Sequence, residues 1–464
     1  MPYFHRYAAA LLLSLAPGGP ISAQEAARPT APAYPVFRAT SDATDSTAPA
    51  LSQWWRALGD PVLDQLIGQG LASAPAMMAA RERVVQAQAR LTGTQRDRLP
   101  NIATGLAYGR ADNGDNLKGE ASLVGFEARW ELDLWGAGAR RIDAARASAG
   151  GAGAALADAQ VSLSAEIARA YLSLRRAQMT NARLTAEHDL AEEQVRYARQ
   201  RADAGLTGQV PVAEAVRRLA DLTALRVEAT AEAAVQQDML AMLTGQVPGA
   251  LVLNAVNSDS DVIPLPPAVV AVGDPASLIA RRPDIRAAAA RVAGATADRR
   301  GAEIARLPMI QLLGFIGLGG TGAPFESGHL ANLAVPQLRW SLLDFGRGAA
   351  AVRGAKAGES ALLASYDQTV LTALQDVEAA LGRYGAARIA YGQARIGADQ
   401  AALVARLDQD RVRTGAISHS AGLVSAMAAS AAERSAADAR LRLTLAYVTL
   451  AKALGLGWEA APRG

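Results

Sequence analysis

The clearest hydrophobic pattern in the chain is an alternation over residues 124–134. Apolar side chains such as Phe126 and Trp130 occupy every second position, and polar ones such as Glu127 and Arg129 stand between them. This period predicts a strand with one apolar and one polar face. The length of the pattern matches a tilted strand that crosses a lipid bilayer.

A weaker copy of this alternation lies at 334–342, where Gln337 and Arg339 occupy polar positions. A less regular apolar stretch precedes each copy and is expected to be its partner strand. No stretch after the N-terminal region has eighteen uninterrupted apolar residues, so any membrane crossing is expected to be made by strands. The two strand pairs are predicted at about 101–134 and about 309–343.

The segment after each strand pair has a hydrophobic period of 3.5 residues. Leu156, Leu163 and Ala170 begin a series of apolar residues seven apart, which indicates a coiled helix. One long helix is expected at about 139–204 and another at about 347–413. At about 1.5 Å per residue, each is on the order of 100 Å long. Alanine at many of these positions favours a wall of closely packed helices.

The chain contains an internal repeat with an offset of 210 residues. The motif that begins at Trp130 matches the motif at Trp340, and Gly205 matches Gly415. The offset is 208 upstream of the strands. Such regularity predicts two halves with one fold. The two matched glycines are expected to end the long helices in a left-handed conformation, so that each half contains a helical hairpin. Medium-length helices are expected at about 61–98 and 209–244.

The N-terminus has the features of a secretory signal, with a short apolar run followed by the small residues of a cleavage site. The apolar run is too short to span a bilayer. A Pro-rich stretch separates the two repeats. The predicted divisions are a signal peptide at 1–23, a flexible leader at 24–50, a first repeat at 51–245, a linker at 246–274, a second repeat at 275–458 and a C-terminal tail at 459–464.

Composition narrows the possible chemistry. The chain of 464 residues has no cysteine, which excludes disulfides, thiolate metal sites, a cysteine nucleophile and a lipid anchor on an N-terminal cysteine. Its 4 histidines are scattered, so neither a multi-histidine metal site nor any cofactor is expected. The net charge of +3 comes without a basic tract, and nucleic acid is therefore not expected as a partner.

Oligomerisation follows from the strand count. Four strands are too few to close a barrel, and open strand edges are not tolerated in lipid. Three copies would supply twelve strands, an even number within the range of known barrels. Two repeats in each of three copies would also give the helical wall an approximate six-fold symmetry.

Four short motifs resemble those of one protein family. They are Trp54-Trp55 with Asp60-Pro61, Arg281-Arg282-Pro283-Asp284-Ile285, Leu342-Leu343-Asp344-Phe345-Gly346-Arg347 and Ala453-Leu454-Gly455-Leu456-Gly457-Trp458. The chain resembles the TolC-like outer-membrane efflux channels, the outer-membrane factors of RND-type tripartite pumps. The resemblance implies a mainly α chain with transmembrane β-strands, which forms a trimeric 12-stranded β-barrel in the outer membrane on a periplasmic α-barrel.

The same resemblance implies a homotrimeric exit duct without enzymatic chemistry, embedded in outer-membrane lipid. An inner-membrane pump would deliver small molecules or drugs through a periplasmic adaptor. The family often places acidic residues after the second hairpin turn, but 418–426 has none. Replacement gating candidates at the periplasmic tip are Asp203, Gly205, Glu214, Asp408, Asp410, Arg411, Arg413 and Gly415. Candidates that face the barrel lumen are Glu127, Arg129, Glu131, Asp133, Gln337 and Arg339.

Other interpretations are weaker. Asp344-Phe345-Gly346 is similar to a kinase motif and Gly317 to Gly322 to a phosphate loop, but neither has the surrounding elements those sites need. His419 is interpreted as a polar cap or tip residue. A type I protein-secretion channel shares the predicted architecture and stays an alternative, as does a periplasmic coiled-coil scaffold.

Overall fold

The computed structural model describes residues 37, 44–45, 52–112, 118–251, 253, 263–321 and 329–458. The predicted signal peptide and C-terminal tail lie outside the described residues, as does most of the predicted leader and part of the linker. Within the described residues, the chain is mainly helical, with two repeats that each combine a strand pair and a helical hairpin.

Two very long helices dominate the fold, and each has 67 residues. At about 1.5 Å per residue, each is about 100 Å long. A short 3-10 helix at Trp54–Leu58 precedes the first α-helix. The helices are α1 (Pro61–Ser73), α2 (Pro75–Arg96), α3 (Ala137–Asp203), α4 (Val210–Leu243), α5 (Pro275–Arg281), α6 (Pro283–Ile304), α7 (Arg347–Arg413) and α8 (His419–Ala453).

The strands form two sheets. The short strands β1 (Thr44–Asp45) and β4 (Val270–Ala271) pair in parallel. The four longer strands form an antiparallel sheet in the order β2-β3-β5-β6, so that β3 of the first repeat pairs with β5 of the second. These strands are β2 (Asn101–Asp112), β3 (Lys118–Leu132), β5 (Met309–Thr321) and β6 (His329–Arg339).

Glycines set the ends of both long helices. Gly136 and Gly346 precede α3 and α7 with φ angles of 82° and 86°. Gly205 and Gly415 follow the same helices with φ angles of 71° and 74°. These conformations are strained for residues with a Cβ. The turns at Gly205 and Gly415 let the following helix pack antiparallel to the long one, so that α3 forms a hairpin with α4 and α7 forms one with α8.

One predicted helix is broken in the structure. The sequence analysis favours a single helix over about 61–98, but Ala74 adopts an extended conformation with a ψ angle of 133°. Pro75 follows and begins α2. Proline disfavours the helical conformation of the residue before it, so the helix ends there. Arg282 and Pro283 make the same break between α5 and α6 in the second repeat.

The core lies where the N-terminal segment packs between the repeats. Trp54 is almost fully buried, and its ring meets the edge of the Tyr447 ring at a centroid distance of 5.9 Å. Asp60 caps α1 and accepts a hydrogen bond of 2.7 Å from the Tyr171 hydroxyl. Burial, and then this hydrogen bond, raises the pKa of Tyr171. The N-terminal segment thereby ties α3 of the first repeat to α8 of the second.

Among the helices that the structure describes, none combines the length and hydrophobicity that a membrane-spanning helix needs.

Candidate functional site: sheet faces, hairpin tip and the seam between the repeats

One face of the four-stranded sheet is apolar and exposed. The register places Leu106, Val124, Leu318 and Leu330 in one row across the four strands. Leu330 is 74% exposed, and Phe126, two residues from Val124, is 55% exposed on the same face. A continuous exposed apolar surface is unfavourable in water and matches the lipid-facing side of a membrane sheet.

The opposite face carries the predicted polar residues. Glu127 and Arg129 are two residues apart on β3 and form an ion pair of 3.2 Å. The register aligns Glu131 with Gln311 and Gln311 with Gln337, which makes a polar row across three strands. Sequence analysis missed Gln311 because it stands in an otherwise apolar run. The strand register is the signal that brings it to this face.

Two predicted lumen residues lie at the ends of strands. Arg339 is the last residue of β6, opposite Met309. Asp133 lies beyond β3 and does not project from the sheet. Its carboxylate accepts hydrogen bonds from the backbone N–H groups of Gly138 at 3.0 Å and Ala139 at 3.1 Å. Asp133 therefore caps α3, because the first N–H groups of a helix need acceptors.

The second repeat has the same kind of cap. Asp344 accepts hydrogen bonds of 2.8 Å from the backbone N–H groups of both Gly346 and Gly348. These two bonds, that from Gly348 first, hold the pKa of Asp344 below its usual value. The residues that imitate a kinase motif therefore form the strand-to-helix turn that begins α7.

Each junction is also closed by a tryptophan. The indole N–H of Trp130 donates to the carbonyl oxygen of Arg98 at 2.9 Å, and that of Trp340 donates to the carbonyl oxygen of Arg306 at 3.2 Å. Each bond joins the end of a strand pair to the turn that precedes it. The equivalence supports a common construction for the two repeats.

The predicted charges at the tip of the second hairpin pair along their own helix. Arg411 lies 3.2 Å from Asp408, and Arg413 lies 2.7 Å from Asp410. Both pairs are three residues apart on α7, and both arginine side chains are exposed. These pairs therefore do not join the two hairpins of one chain. Gly415 follows them and makes the turn.

The tip of the first hairpin borders an open cleft. Asp203 is the exposed last residue of α3, and Gly205 makes the turn that follows. Glu214 lines a cleft of about 690 Å³ together with Arg201 and Arg217. The cleft also reaches Ser418 and Ser420 at the start of α8. The structure thus brings Glu214 near basic side chains and leaves Asp203 at the exposed end.

The structure shows a contact between the repeats that sequence analysis did not predict. We call it the inter-repeat seam, and it consists of charged pairs between α3 and α8. Each pair joins one residue of the first repeat to one of the second. Among the described residues, the pairs are Arg176–Asp438, Arg183–Glu433, Glu187–Arg434 and Glu193–His419.

Glu187 is the buried centre of the seam. Its side chain is only 3% exposed and accepts hydrogen bonds from Arg434 and, at 3.0 Å, from the hydroxyl of Ser430. A buried carboxylate needs such partners, because an unpaired buried charge is strongly destabilising. Arg176 and Arg183 are seven residues apart on α3. That spacing is the one signal in the sequence that marks this face.

His419 ends the seam near the tip. Its Nε2 atom lies 2.9 Å from an oxygen of Glu193, and its ring meets the Tyr197 ring at a centroid distance of 5.4 Å. The residue before it, Ser418, is the helix cap and accepts a hydrogen bond of 3.2 Å from the Ala421 N–H. His419 is therefore a tip residue, as predicted, that also links the two hairpins.

One small group on α3 has the composition of a metal site. His188 lies 3.8 Å from Asp189 and 3.9 Å from Glu192, measured from its Nδ1 atom. Both acidic side chains are exposed, and all three residues belong to one helix. This arrangement is typical of an ordinary surface ion pair.

Comparison with known proteins identifies the family. The family model for outer membrane efflux proteins matches residues 66–246 and 275–456, one match for each repeat. The chain is 29% identical over 443 residues to a pyoverdine export outer membrane protein of Pseudomonas aeruginosa, and the match covers 91% of this chain and 90% of that protein. It is 24% identical over 444 residues to a multidrug resistance outer membrane protein of Escherichia coli, covering 89% and 87% of the two chains.

Solved structures agree with these relatives. The outer-membrane channel OprN is 31% identical and superposes with a TM-score of 0.82, over 92% of this chain and 99% of that one. The open state of the Neisseria gonorrhoeae MtrE channel superposes with a TM-score of 0.79, over 92% and 98%, at 23% identity, which shows a common fold. The chain therefore belongs to the family of outer membrane efflux proteins.

Proposed function

We propose that this chain is the outer-membrane channel of a tripartite efflux system. It works as a homotrimer and receives its substrates from an inner-membrane pump through a periplasmic adaptor. It is a passive duct and not an enzyme, so its side chains shape and line a path rather than carry out a reaction. Small molecules are the proposed cargo, since relatives are named for pyoverdine export and fusaric acid resistance.

One observation carries the proposal. In the described residues, β2 and β6 each pair on one side only, while the sheet they bound has one exposed apolar face and one polar face. Unpaired strand edges are not tolerated in lipid. Pairing of β6 in one copy with β2 in the next would satisfy both edges. Three copies then close a barrel of twelve strands, with the polar face inside.

The lumen charges tune which solutes pass. Glu127, Arg129, Glu131 and Gln337 would face water inside the barrel, where fixed charges change the local concentration of ions. The Glu127–Arg129 pair is largely exposed, so its two charges are screened and partly cancel. Glu131 lies close to Arg141 of α3, at 3.2 Å, near the entrance to the barrel from the helices.

We place the gate at the seam and the tip. Opening the helical end requires the second hairpin to move away from the first. That motion must break the inter-repeat seam, whose last contact before the tip is Glu193–His419. The exposed Arg411 and Arg413 remain proposed gating residues, because a neighbouring copy in the trimer can reach them. The seam would hold the hairpins together within a chain, and the tip charges would act between chains.

A cysteine cross-link tests the gate. The chain has no cysteine, so Glu193→Cys with His419→Cys introduces one cysteine pair in each copy of the trimer. We expect oxidation to lower efflux in cells and conductance in planar bilayers, and reduction to restore both. The matched control, Arg395→Cys with Asp399→Cys, joins two exposed positions of α7 away from the tip and is expected to leave conductance unchanged on oxidation. Unchanged efflux through a fully cross-linked seam would reject this gate.

A further inference from the structure

A charged pocket lies where α3, α6, α7 and α8 meet, away from both the sheet and the tip. Its volume is about 220 Å³. Side chains from both repeats line it, and most of its polar groups are ionisable. The cationic residues are Arg169, Arg282, Arg383 and Lys452, and the acidic residues are Asp158, Asp284 and Asp376.

Arg282 is occupied by structural contacts. Its guanidinium holds both oxygens of Asp284, at 3.0 Å and 2.6 Å, and lies 3.7 Å from Asp376. It also donates to the carbonyl oxygen of Ala453 at 2.7 Å, which satisfies the end of α8. Its single positive charge offsets one of these two negative charges, chiefly that of Asp284. Arg282 therefore belongs to the packing of the junction, and Asp376 stays available to the other cations.

The remaining cations are in excess. Among the described residues, no carboxylate oxygen lies within 4.0 Å of Arg169, Arg383 or Lys452. Arg169 donates to the hydroxyl of Thr449 at 3.3 Å. Asp158 is a further carboxylate of the pocket, and burial, followed by the negative charge of Asp284, raises its pKa. The pocket thus holds four cations against three carboxylates, and within the described part of the chain its cations Arg169, Arg383 and Lys452 have no close ion-pair partner.

The internal repeat shows that the fold does not require these charges. At the offset of 210, the positions of Arg383 and Lys452 are held by Ser173 and Met242 in the first repeat. The position of Arg169 is held by Ala379. The first repeat has the same break before a proline and the same glycine turn, and it has no cation at the positions of Arg383 and Lys452. These two cations are therefore not required by the elements that the two repeats share.

We propose that this pocket binds a small oxyanion, with phosphate as the model ligand. Arginine and lysine donate strong charge-assisted hydrogen bonds to such oxygens. A water molecule takes about 30 Å³ of liquid volume, so the pocket has room for the anion and several waters. Asp158 lies about 30 Å along α3 from the sheet, too far for a lipid headgroup to reach, so the ligand is a free periplasmic anion.

Calorimetric titration of the purified trimer with inorganic phosphate, at constant ionic strength, tests the site. We expect saturable binding to the wild type. Lys452→Met and Arg383→Ser introduce the residues of the first repeat, and each is expected to weaken binding about tenfold or more. The control, Arg395→Gln, removes an exposed cation of α7 that pairs with Asp399 and should leave the affinity unchanged.

The outcomes of this titration can be distinguished from a failure of the proposed channel function. Migration as a trimer and unchanged single-channel conductance show that a variant is assembled. Should Lys452→Met fail to assemble, Arg383→Ser alone carries the test. Absence of saturable binding to the wild type, or equal binding by all variants, overturns the proposal. Repeating the titration in nanodiscs with and without phosphatidylglycerol checks the source: equal affinity supports a free anion, and loss of binding with the anionic lipid contradicts it.

Discussion

Glu187 of α3 and Arg434 of α8 form a buried ion pair that joins the two halves of the chain. The two residues are far apart in the sequence and belong to different repeats. The pair stands at the middle of the inter-repeat seam, where both hairpins are still well above the tip. Its position means that any large separation of the hairpins exposes a carboxylate that the closed arrangement keeps from water.

Replacing that carboxylate is expected to weaken the seam. Glu187→Gln removes the charge that Arg434 faces and keeps the shape, at a cost of about 1–3 kcal/mol in the free energy of unfolding. The measurement is heat-induced dissociation of the trimer on gels, together with the open probability in bilayers, which should rise. Arg395→Gln, which breaks an exposed pair on α7, is the control and should change neither.

The tip charges make a separate prediction. Arg411→Glu places a negative charge beside Asp408 on an exposed surface of α7, and in the proposed trimer it would also repel acidic groups of a neighbouring copy. We expect higher single-channel conductance at rest, because repulsion opens the tip. Conductance identical to the wild type would remove Arg411 from the gate and leave Arg413 and the seam as candidates.

Two adjacent residues on β3, Phe126 and Glu127, lie on opposite faces of the sheet and allow each face to be tested separately. Phe126→Lys puts a charge on the lipid face at a cost of about 2–4 kcal/mol near the bilayer centre, and it should lower the amount of trimer in the outer membrane. Glu127→Lys puts the same charge on the polar face. That variant should assemble normally and shift the selectivity of the pore toward anions, measured as a reversal potential in a salt gradient.

The strand-to-helix cap predicts a pH dependence. The pKa of Asp344 is lowered in the folded chain, so its ionised form stabilises the fold above the unfolded pKa, and this contribution is lost as the pH falls through the folded pKa. Asp344→Asn should therefore lower the dissociation temperature at pH 7. The difference from the wild type should shrink toward zero below about pH 3.8. A difference that persists in acid would contradict the ionic cap.

The tryptophan at each junction gives a matched pair of variants. Trp340→Phe removes the hydrogen bond to the Arg306 carbonyl and Trp130→Phe removes the one to the Arg98 carbonyl. Each is expected to cost about 0.5–1.5 kcal/mol of trimer stability, measured by thermal dissociation. Because the repeats build the two contacts alike, the two losses should be similar. A large effect in only one repeat would show that the junctions are not equivalent.

Local patterns in the sequence were sufficient for the long helices, the four long strands and the two faces of β3. The alternation around Phe126 predicts which side of β3 is apolar. The apolar residues that recur every seven positions from Leu156 predict a very long helix. Gly205 and Gly415 mark where the long helices turn. Each of these features depends on residues close together in the chain. The internal repeat supports the predictions further, because each pattern occurs in both halves.

Contacts that depend on which elements become neighbours were not predictable in the same way. The seam needs α3 to pack beside α8, and no local pattern specifies that choice. Asp133 alternates with the strand residues, yet its carboxylate turns to the nearby N–H groups of Gly138 and Ala139, because a helix start offers unpaired donors. Gln311 reaches the polar face only through its register with Glu131.

The central claim is that one chain supplies a third of a closed duct, and the mass of the complex tests it most directly. Native mass spectrometry of the purified complex, released from detergent, should give about three times the mass of the mature chain, which is somewhat below the 48.1 kDa of the full sequence. A folded single chain that stays dissolved without detergent would contradict the account.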